Sequence, residues 1–499
     1  MHSFGDTPFS PIFTVGLDDP VLNLDEIQGD ILVGLQKNFE SFIFFKIINS
    51  PYFKRAIRSA IIGRITTALA ARDFELKIES NKAAGHRNRL TIEGLNVGFT
   101  IDGLRILIDP GLTGLDSSYE EGARRRARAL SDPVDDFGRP STWKQQFLSD
   151  RIDGVWLITG PTLERVAAQT EELLSILSGT VKVIYADMGN VRPDRGHEHF
   201  GFRDGISQPG VRGLTKRENP IDADQGLPGQ DLVWPGEFVF GYPGQNPLDS
   251  KTKGTPPLLP FPWMHNGSYM VFRRLQQYVP EFWSFIADQA RALGMDSALL
   301  GARMVGRWKS GAPVMLAPLQ DDLSLGSDPL QNNNFEYGTD PFQRRCPYAA
   351  HIRKTYPRDD LGDEAFVQKH RIMRAGIPFG PELREDETNE TRYERGLMFV
   401  CYQTSIVNQF EGIQMHWANN ATAPAGKHRS LDGPPVVPGA DPIIGQFVEA
   451  NHVIDEPVAN YPIGDIRSQI TLSRKFIIPT AAGYFFMPSI AALSTIFTN

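Results

Sequence analysis

From Ser41 to Ile48 the chain runs almost continuously apolar, rich in Phe and Ile with the single Lys46, the pattern of a strand buried on both faces. Pro51 opens the next segment, in which Ala56, Ile57, Ala60, Ile61, Ile65 and Leu69 recur at helical spacing. Strand-like runs follow at Leu90–Phe99 and Gly154–Thr159. Pro161 then begins a helix to about Leu177 whose apolar face is Leu163, Val166, Leu173, Leu174 and Leu177, and Val181–Ala186 reads as a further strand. The order β-α-β-(α)-β-α-β predicts a ferredoxin-like antiparallel sheet with helices on one face, an α+β class. From Asn219 to Pro262 the chain turns to Pro, Gly and polar residues, as in a long connection or boundary. Beyond it, strands around Gly267–Phe272, Gly396–Tyr402 and Gly483–Met487 with a helix around Phe282–Leu293 predict a second α+β unit, interrupted by a Pro/Gly-rich loop over Ala423–Pro442. The expected organisation is an extension (1–24), a first domain (25–218), a connection (219–262) and a second domain (263–499). The two halves share no detectable sequence repeat.

Composition narrows the classes. With 499 residues, 41% hydrophobic and 22% charged, the chain folds and buries a large core. Its net charge of −8 argues against nucleic acid as a partner. No uncharged apolar run reaches the ~18 residues of a membrane span; Phe476–Phe497 comes nearest and is broken by Pro479 and Pro488. The polar segment after Met1 has neither a basic nor an apolar signal region, so the expectation is a cytoplasmic protein or a secreted one whose signal was removed. Sequons at Asn266, Asn389 and Asn420 are compatible with the secretory route. Cys346 and Cys401 read as buried thiols, with one bridge left open.

Several chemistries fail at the motif level. Neither a G-x-x-x-x-G-K-[ST] loop nor a G-x-G-x-x-G after a strand occurs. Gly205-Ile206-Ser207-Gln208-Pro209 approaches the G-x-S-x-G elbow but ends in Pro, which disfavours Ser207 as a nucleophile. His197-Glu198-His199 lacks the second His of H-E-x-x-H and reads as ordinary hydrogen-bonding side chains. The informative stretch is Phe200-Gly201-Phe202-Arg203-Asp204-Gly205-Ile206-Ser207-Gln208-Pro209. An acid bracketed by glycines among aromatic rings is a proton-transfer candidate, or else a common Asp-Gly turn.

That G-x-x-D-G motif followed by Ile-Ser-Gln-Pro resembles the signature of dye-decolourising peroxidases, a haem family distinct in fold from plant-type peroxidases. Other blocks agree in order: Ile27-Gln28-Gly29-Asp30-Ile31-Leu32, Asn96-Val97-Gly98-Phe99-Thr100, Cys346-Pro347-Tyr348-Ala349-Ala350-His351, Arg374-Ala375-Gly376-Ile377-Pro378-Phe379-Gly380, Asp441-Pro442-Ile443-Ile444-Gly445-Gln446 and Tyr484-Phe485-Phe486-Met487-Pro488-Ser489. The resemblance runs from about residue 25 to the C-terminus and, with its long insertions, is to fungal members. It implies two ferredoxin-like domains enclosing one haem b per chain, hydrogen peroxide as oxidant, and dyes, phenols and lignin-related aromatics as reductants.

Carried onto this sequence, the resemblance implies His351 as the proximal iron ligand, with Asp441 or, failing that, Glu449 as the carboxylate behind its free N–H. Asp204 would move the peroxide proton and Arg374 stabilise the charge that develops as the O–O bond breaks, leaving compound I. Leu397 and Phe399 would pack over the distal haem face, and Arg358 would pair with a propionate. Trp417, before a polar Asn/Ala/Thr stretch, is the expected exposed donor for bulky dyes, with Tyr337 as alternative. The acid runs Asp359-Asp360, Asp363-Glu364 and Glu385-Asp386-Glu387 are the candidate sites should manganese(II) also be oxidised. A carboxylate base in place of an imidazole predicts peroxide activation that persists into acid. The rival readings are a non-catalytic haem carrier on the same fold and a hydrolase using Ser207.

Overall fold

The computed structural model describes residues 18–83, 93–424, 438–446, 460–462, 469–472 and 474–496. Nine strands form its main sheet: β1 (Phe39–Ile47), β2 (Gly94–Phe99), β3 (Gly154–Gly160), β4 (Val181–Asn190), β5 (Ser268–Gln277), β6 (Met373–Arg374), β7 (Ile377–Phe379), β8 (Gly396–Gln403) and β9 (Ile477–Met487). Their order is β5-β9-β2-β3-β1-β4-β7-β8-β6, and β5 also pairs with β8, so eight strands close into an antiparallel barrel with β6 appended. The first half carries the order β4-β1-β3-β2, which is the ferredoxin-like arrangement that the strand and helix spacing predicts. The second half supplies the rest of the barrel, so the two halves share one interior.

Aromatic packing fills that interior. Phe42 and Phe44 of β1 meet Phe272 of β5 at ring-centroid distances of 5.2 and 5.0 Å. The neighbouring Phe45 points to the other face and stacks on Trp156 at 5.8 Å beneath the helix α1 (Ser50–Ala56). This two-sided burial explains why β1 lacks polar alternation. Segments expected as a connection also contribute, since Phe238, Val239 and Phe240 join the barrel's core cluster. Pro479, which interrupts the C-terminal apolar run in the sequence, sits at a register shift of β9, where no ladder donor is required.

The helix expected from Pro51 to Leu69 is divided. After α1 comes a π turn (Ile57–Ile61) and a 3-10 turn (Ile62–Arg64), and a second helix, α2, spans Ala68–Ala83. Gly63 and the crowded β-branched isoleucines weaken a continuous helix. The freed backbone instead pairs with the N-terminal segment, through Gly29 N–H to Thr66 O at 2.8 Å and Ala68 N–H to Ile27 O at 2.7 Å. The remaining long helices are α3 (Leu163–Ile176) and α4 (Val279–Leu293), followed by α5 (Ser297–Val305) and the short α6 (His351–Thr355). Both cysteines are buried and unbridged. Among the described residues, no helix is long and apolar enough to cross a membrane.

His199 ties the segment before β5 to β7, its Nε2 lying 2.9 Å from the Phe379 carbonyl. Burial, reinforced by the charge of Arg192, lowers its pKa to about 4. The unfolded chain therefore takes up a proton first as pH falls, and stability present above about 6.5 is lost on the way down to 4. The loss at this one site is of order 3 kcal/mol at most. His199→Gln, which can still donate to Phe379 but does not titrate, should show a shallower fall in unfolding free energy between pH 7 and 4.5. Urea titrations at the two pH values measure the difference.

Candidate active site

Strand alternation decides what faces the main cavity. On β5, Phe272 points into the barrel while Arg273, Leu275 and Gln277 line the cavity; on β8, Met398 and Val400 are fully buried while Leu397 and Phe399 line it. Most of the cavity's lining surface is apolar, with a few charged and polar groups converging on it, the composition of a small-molecule or cofactor site. The other walls come from the loop of residues 198–209, from α6 and from Ile443 and Ile444.

On one wall stands His351, the first residue of α6. Its Nδ1 lies 2.8 Å from Asp441 Oδ2, and the other Asp441 oxygen accepts the N–H groups of Ile443 at 2.8 Å and Ile444 at 3.1 Å. Asp441 is fully buried, and these bonds leave the imidazole Nε2 for the cavity. Burial opposes charge on the ring, but Asp441 outweighs it and raises the His351 pKa above the ordinary value. Glu449, the other carboxylate considered, lies outside the described residues. α6 is itself fixed by the buried Arg353, which binds Asp360 through Nε at 2.5 Å and stacks on Tyr337 and Tyr348.

Asp204 and Arg374 line the same cavity, 3.4 Å apart between Oδ1 and Nη1. Two glycines make the loop possible: Gly201 and Gly205 adopt φ of 93° and 82°, and the Gly205 N–H donates to Asp204 Oδ1 at 2.6 Å. Arg374 sits in β6 opposite Cys401 of β8. Gln208 joins the two motifs, donating through Nε2 to the Arg374 carbonyl at 2.7 Å and accepting the Arg374 N–H at 3.3 Å. The Gln of Ile-Ser-Gln-Pro thus clamps the backbone of the arginine, a role that sequence reasoning missed.

Other expected residues stand elsewhere. Arg358 is not among the cavity-lining residues; it donates to the Phe335 carbonyl and Asn333 Oδ1, both at 2.7 Å. The guanidinium groups that line the cavity include Arg307 and Arg371, which no motif singled out. Trp417, expected at the surface, is 8% exposed because its π turn packs it against His370 and Phe366, at centroid distances of 4.9 and 6.3 Å. Tyr337 is wholly buried under Arg353. His197 and His199 bond to backbone carbonyls, as expected of them. The acid runs are engaged: Asp359 caps Tyr337 N–H and Gly338 N–H, Asp360 pairs with Arg353, and Glu387 pairs with Arg395.

The donor set can be tested against a haem. Among the described residues no group of three or more His, Cys, Asp or Glu side chains is placed to hold a metal. His351 supplies a single nitrogen donor, so an iron held there would take its remaining ligands from a macrocycle. Apolar walls from Val305, Ile352, Leu397 and Phe399 suit such a ring, and Arg307 and Arg371 suit its carboxylates. Burial, with Arg358 close by, lowers the Arg307 pKa to about 9, and an anion beside it would offset that cost. The residues present fit the group.

Comparison with known proteins agrees. Residues 26–193 match the family model for the DyP dimeric alpha+beta barrel domain, and residues 260–428 match that for the C-terminal part of Dyp-type peroxidases. The chain is 37% identical over 489 residues to Peroxidase 2 of Mycetinis scorodonius, covering 95% of this chain and 87% of that protein. It is 37% identical over 504 residues to a dye-decolorizing peroxidase of Mycena epipterygia, covering 96% and 88%. A variant of the Pleurotus ostreatus dye-decolorizing peroxidase superposes with a TM-score of 0.82 at 36% identity, covering 96% of this chain and 100% of that one. A dye-decolorizing peroxidase in complex with 2,6-dimethoxyphenol gives a TM-score of 0.77 at 37% identity, with coverages of 96% and 100%. Fold and site together define a haem-dependent peroxidase built on an α+β barrel. The chain belongs to the dye-decolourising peroxidase family.

His351→Ala should abolish stable haem binding, read as loss of the Soret band after purification or reconstitution. A normal five-coordinate spectrum in that variant would move the ligand to another histidine, with His370 and His416 the next to test.

Proposed function

We propose that this enzyme reduces hydrogen peroxide at a haem b held by His351 and oxidises dyes, phenols and lignin-related aromatics with the equivalents obtained. The observation that carries the reading is that His351, backed by Asp441, and the Asp204–Arg374 pair line one cavity. The haem, when bound, supplies an iron that binds peroxide and takes up its two oxidising equivalents. Asp204 accepts the proton from one peroxide oxygen and returns it to the other, which leaves as water. Arg374 stabilises the negative charge on the departing oxygen. Asp441 holds the imidazole in one tautomer and strengthens it as a donor. Leu397 and Phe399 narrow the approach, so small peroxide enters more readily than large aromatics.

Bulky reductants then react from outside, and Trp417 is the proposed relay. Its ring contacts His370, a cavity-lining residue, and Phe366, which is 43% exposed. The dye docks at the Phe366 side, and the indole passes the electron inward. An extracellular setting suits such substrates, and the Asn389 sequon is exposed.

Asp204→Asn should keep its haem and resting spectrum but react with peroxide slower by the ~10²–10⁴-fold typical of lost acid–base catalysis. Stopped-flow absorbance on mixing with peroxide measures this, and equal rates in the two proteins would transfer proton handling to another group. Trp417→Phe should lower kcat for a bulky dye several-fold while leaving the peroxide reaction unchanged. Unaltered turnover of such a dye would dismiss the relay.

A further inference from the structure

Six residues before Asp204, Glu198 brings to the same cavity a carboxylate that the reaction above does not use. The loop is wound around it. Glu198 Oε2 accepts the Phe200 N–H and Oε1 accepts the Phe202 N–H, each at 2.8 Å. The side-chain amide of Gln277, on β5, donates to Oε2 as well. The backbone closes the same turn: Gly201 N–H donates to Glu198 O at 2.9 Å, and Glu198 N–H donates to Phe202 O at 3.1 Å. Asp204 N–H then donates to Gly196 O at 2.8 Å, so the residue that faces Arg374 hangs on a turn centred on Glu198.

The flanking rings hold the turn from outside, with Phe200 stacked on Phe282 at 4.3 Å and Phe202 on Trp283 at 5.9 Å. Apolar packing of this kind fixes position loosely along the ring planes. Directional bonds to a single carboxylate fix it in all directions. No motif needs an acid at this place, and no substrate role accounts for two of its acceptor sites being taken by backbone N–H groups.

We propose that Glu198 is a positioning residue, whose carboxylate sets the loop that presents Asp204 and, through Gln277, locks that loop to the barrel. The inference rests on the reading of Asp204 as the proton-transfer group. Glu198→Gln exchanges one acceptor oxygen for an NH2 group, which cannot accept a backbone N–H, so one of the two amides loses its partner.

The test uses the haem-loaded enzyme and two readouts. Amide hydrogen exchange over residues 199–204 should be at least about tenfold faster in Glu198→Gln than in the wild type. The peroxide reaction should slow by about 10–100-fold with KM for a small phenol unchanged, and Asp204→Asn/Glu198→Gln should be no slower than Asp204→Asn alone. Wild-type exchange with wild-type peroxide kinetics would overturn the proposal, as would independent, multiplying losses in the double variant. If Glu198→Gln does not hold haem, Gln277→Leu carries the test: it should loosen the same segment and slow peroxide at least about threefold, and unchanged behaviour overturns the lock. A wild-type rate in Asp204→Asn itself would refute the proton-transfer role alone, and the exchange data would then judge the loop assignment.

Discussion

Closure of the barrel around β5 is the constraint on which the rest depends. That strand is paired on both sides, with β9 along one edge and β8 along the other, in registers that run through most of its length. Its period-two alternation therefore assigns side chains to two different environments at once. Phe272 goes to the aromatic interior, and Arg273, Leu275 and Gln277 go to the cavity. A one-residue slip would exchange the two sets, putting a guanidinium among phenylalanines and a ring into the site. The active-site wall is thus as well specified as the core, because the same backbone ladder specifies both.

A second consequence of closure is that distant parts of the chain support one another's charges. Lys37, from the first half, donates to Glu40 at 2.6 Å and to the carbonyl of Ala375 at 2.9 Å, directly beside Arg374. Tyr402 of β8 donates to Asp30 at 2.5 Å, and Asp30 lies 3.9 Å from the same lysine. Glu40 is pushed up to about 7 by burial even with Lys37 beside it, which shows how costly charge is at this place. Arg374 is therefore held from two sides, by Gln208 on its own backbone and by Lys37 on that of the next residue.

The fold was legible wherever hydrophobic period and spacing are local properties. β1, α3 and β4 follow from runs and apolar faces that one window of sequence contains. Barrel closure was not, because pairing between β5 and β8 joins residues more than a hundred positions apart with no repeat to signal it. At the site, Asp204, Arg374 and His351 were named from motifs of the family resemblance and Leu397 and Phe399 from the strand around Gly396–Tyr402, and all five line one cavity. Asp441 was one of two carboxylates that the motif could not separate; it stands against the His351 ring, while Glu449 lies outside the described residues. The expected setting of Arg358 and the expected exposure of Trp417 differ from the structure for one reason: a polar or charged neighbourhood in sequence does not report which way a side chain turns. Arg358 turned toward Phe335 and Asn333, and Trp417 turned inward against His370. The positioning contacts of Glu198 and Gln208 escaped notice because most of their partners are backbone atoms, which leave no mark on residue type.

The placement of the two cysteines bears on how long such an enzyme survives its own oxidant. The thiolate, not the thiol, reacts with peroxide. Cys346 is fully buried and its pKa is pushed up to about 12, while Cys401, equally buried, is also raised well above the ordinary range, burial being the leading cause in both. Cys401 sits directly across the ladder from Arg374, and its thiol donates to Gln403 Oε1 at 3.2 Å. Both sulfurs are thus buried and held as thiols, the form that resists oxidation to sulfenic and sulfinic acids.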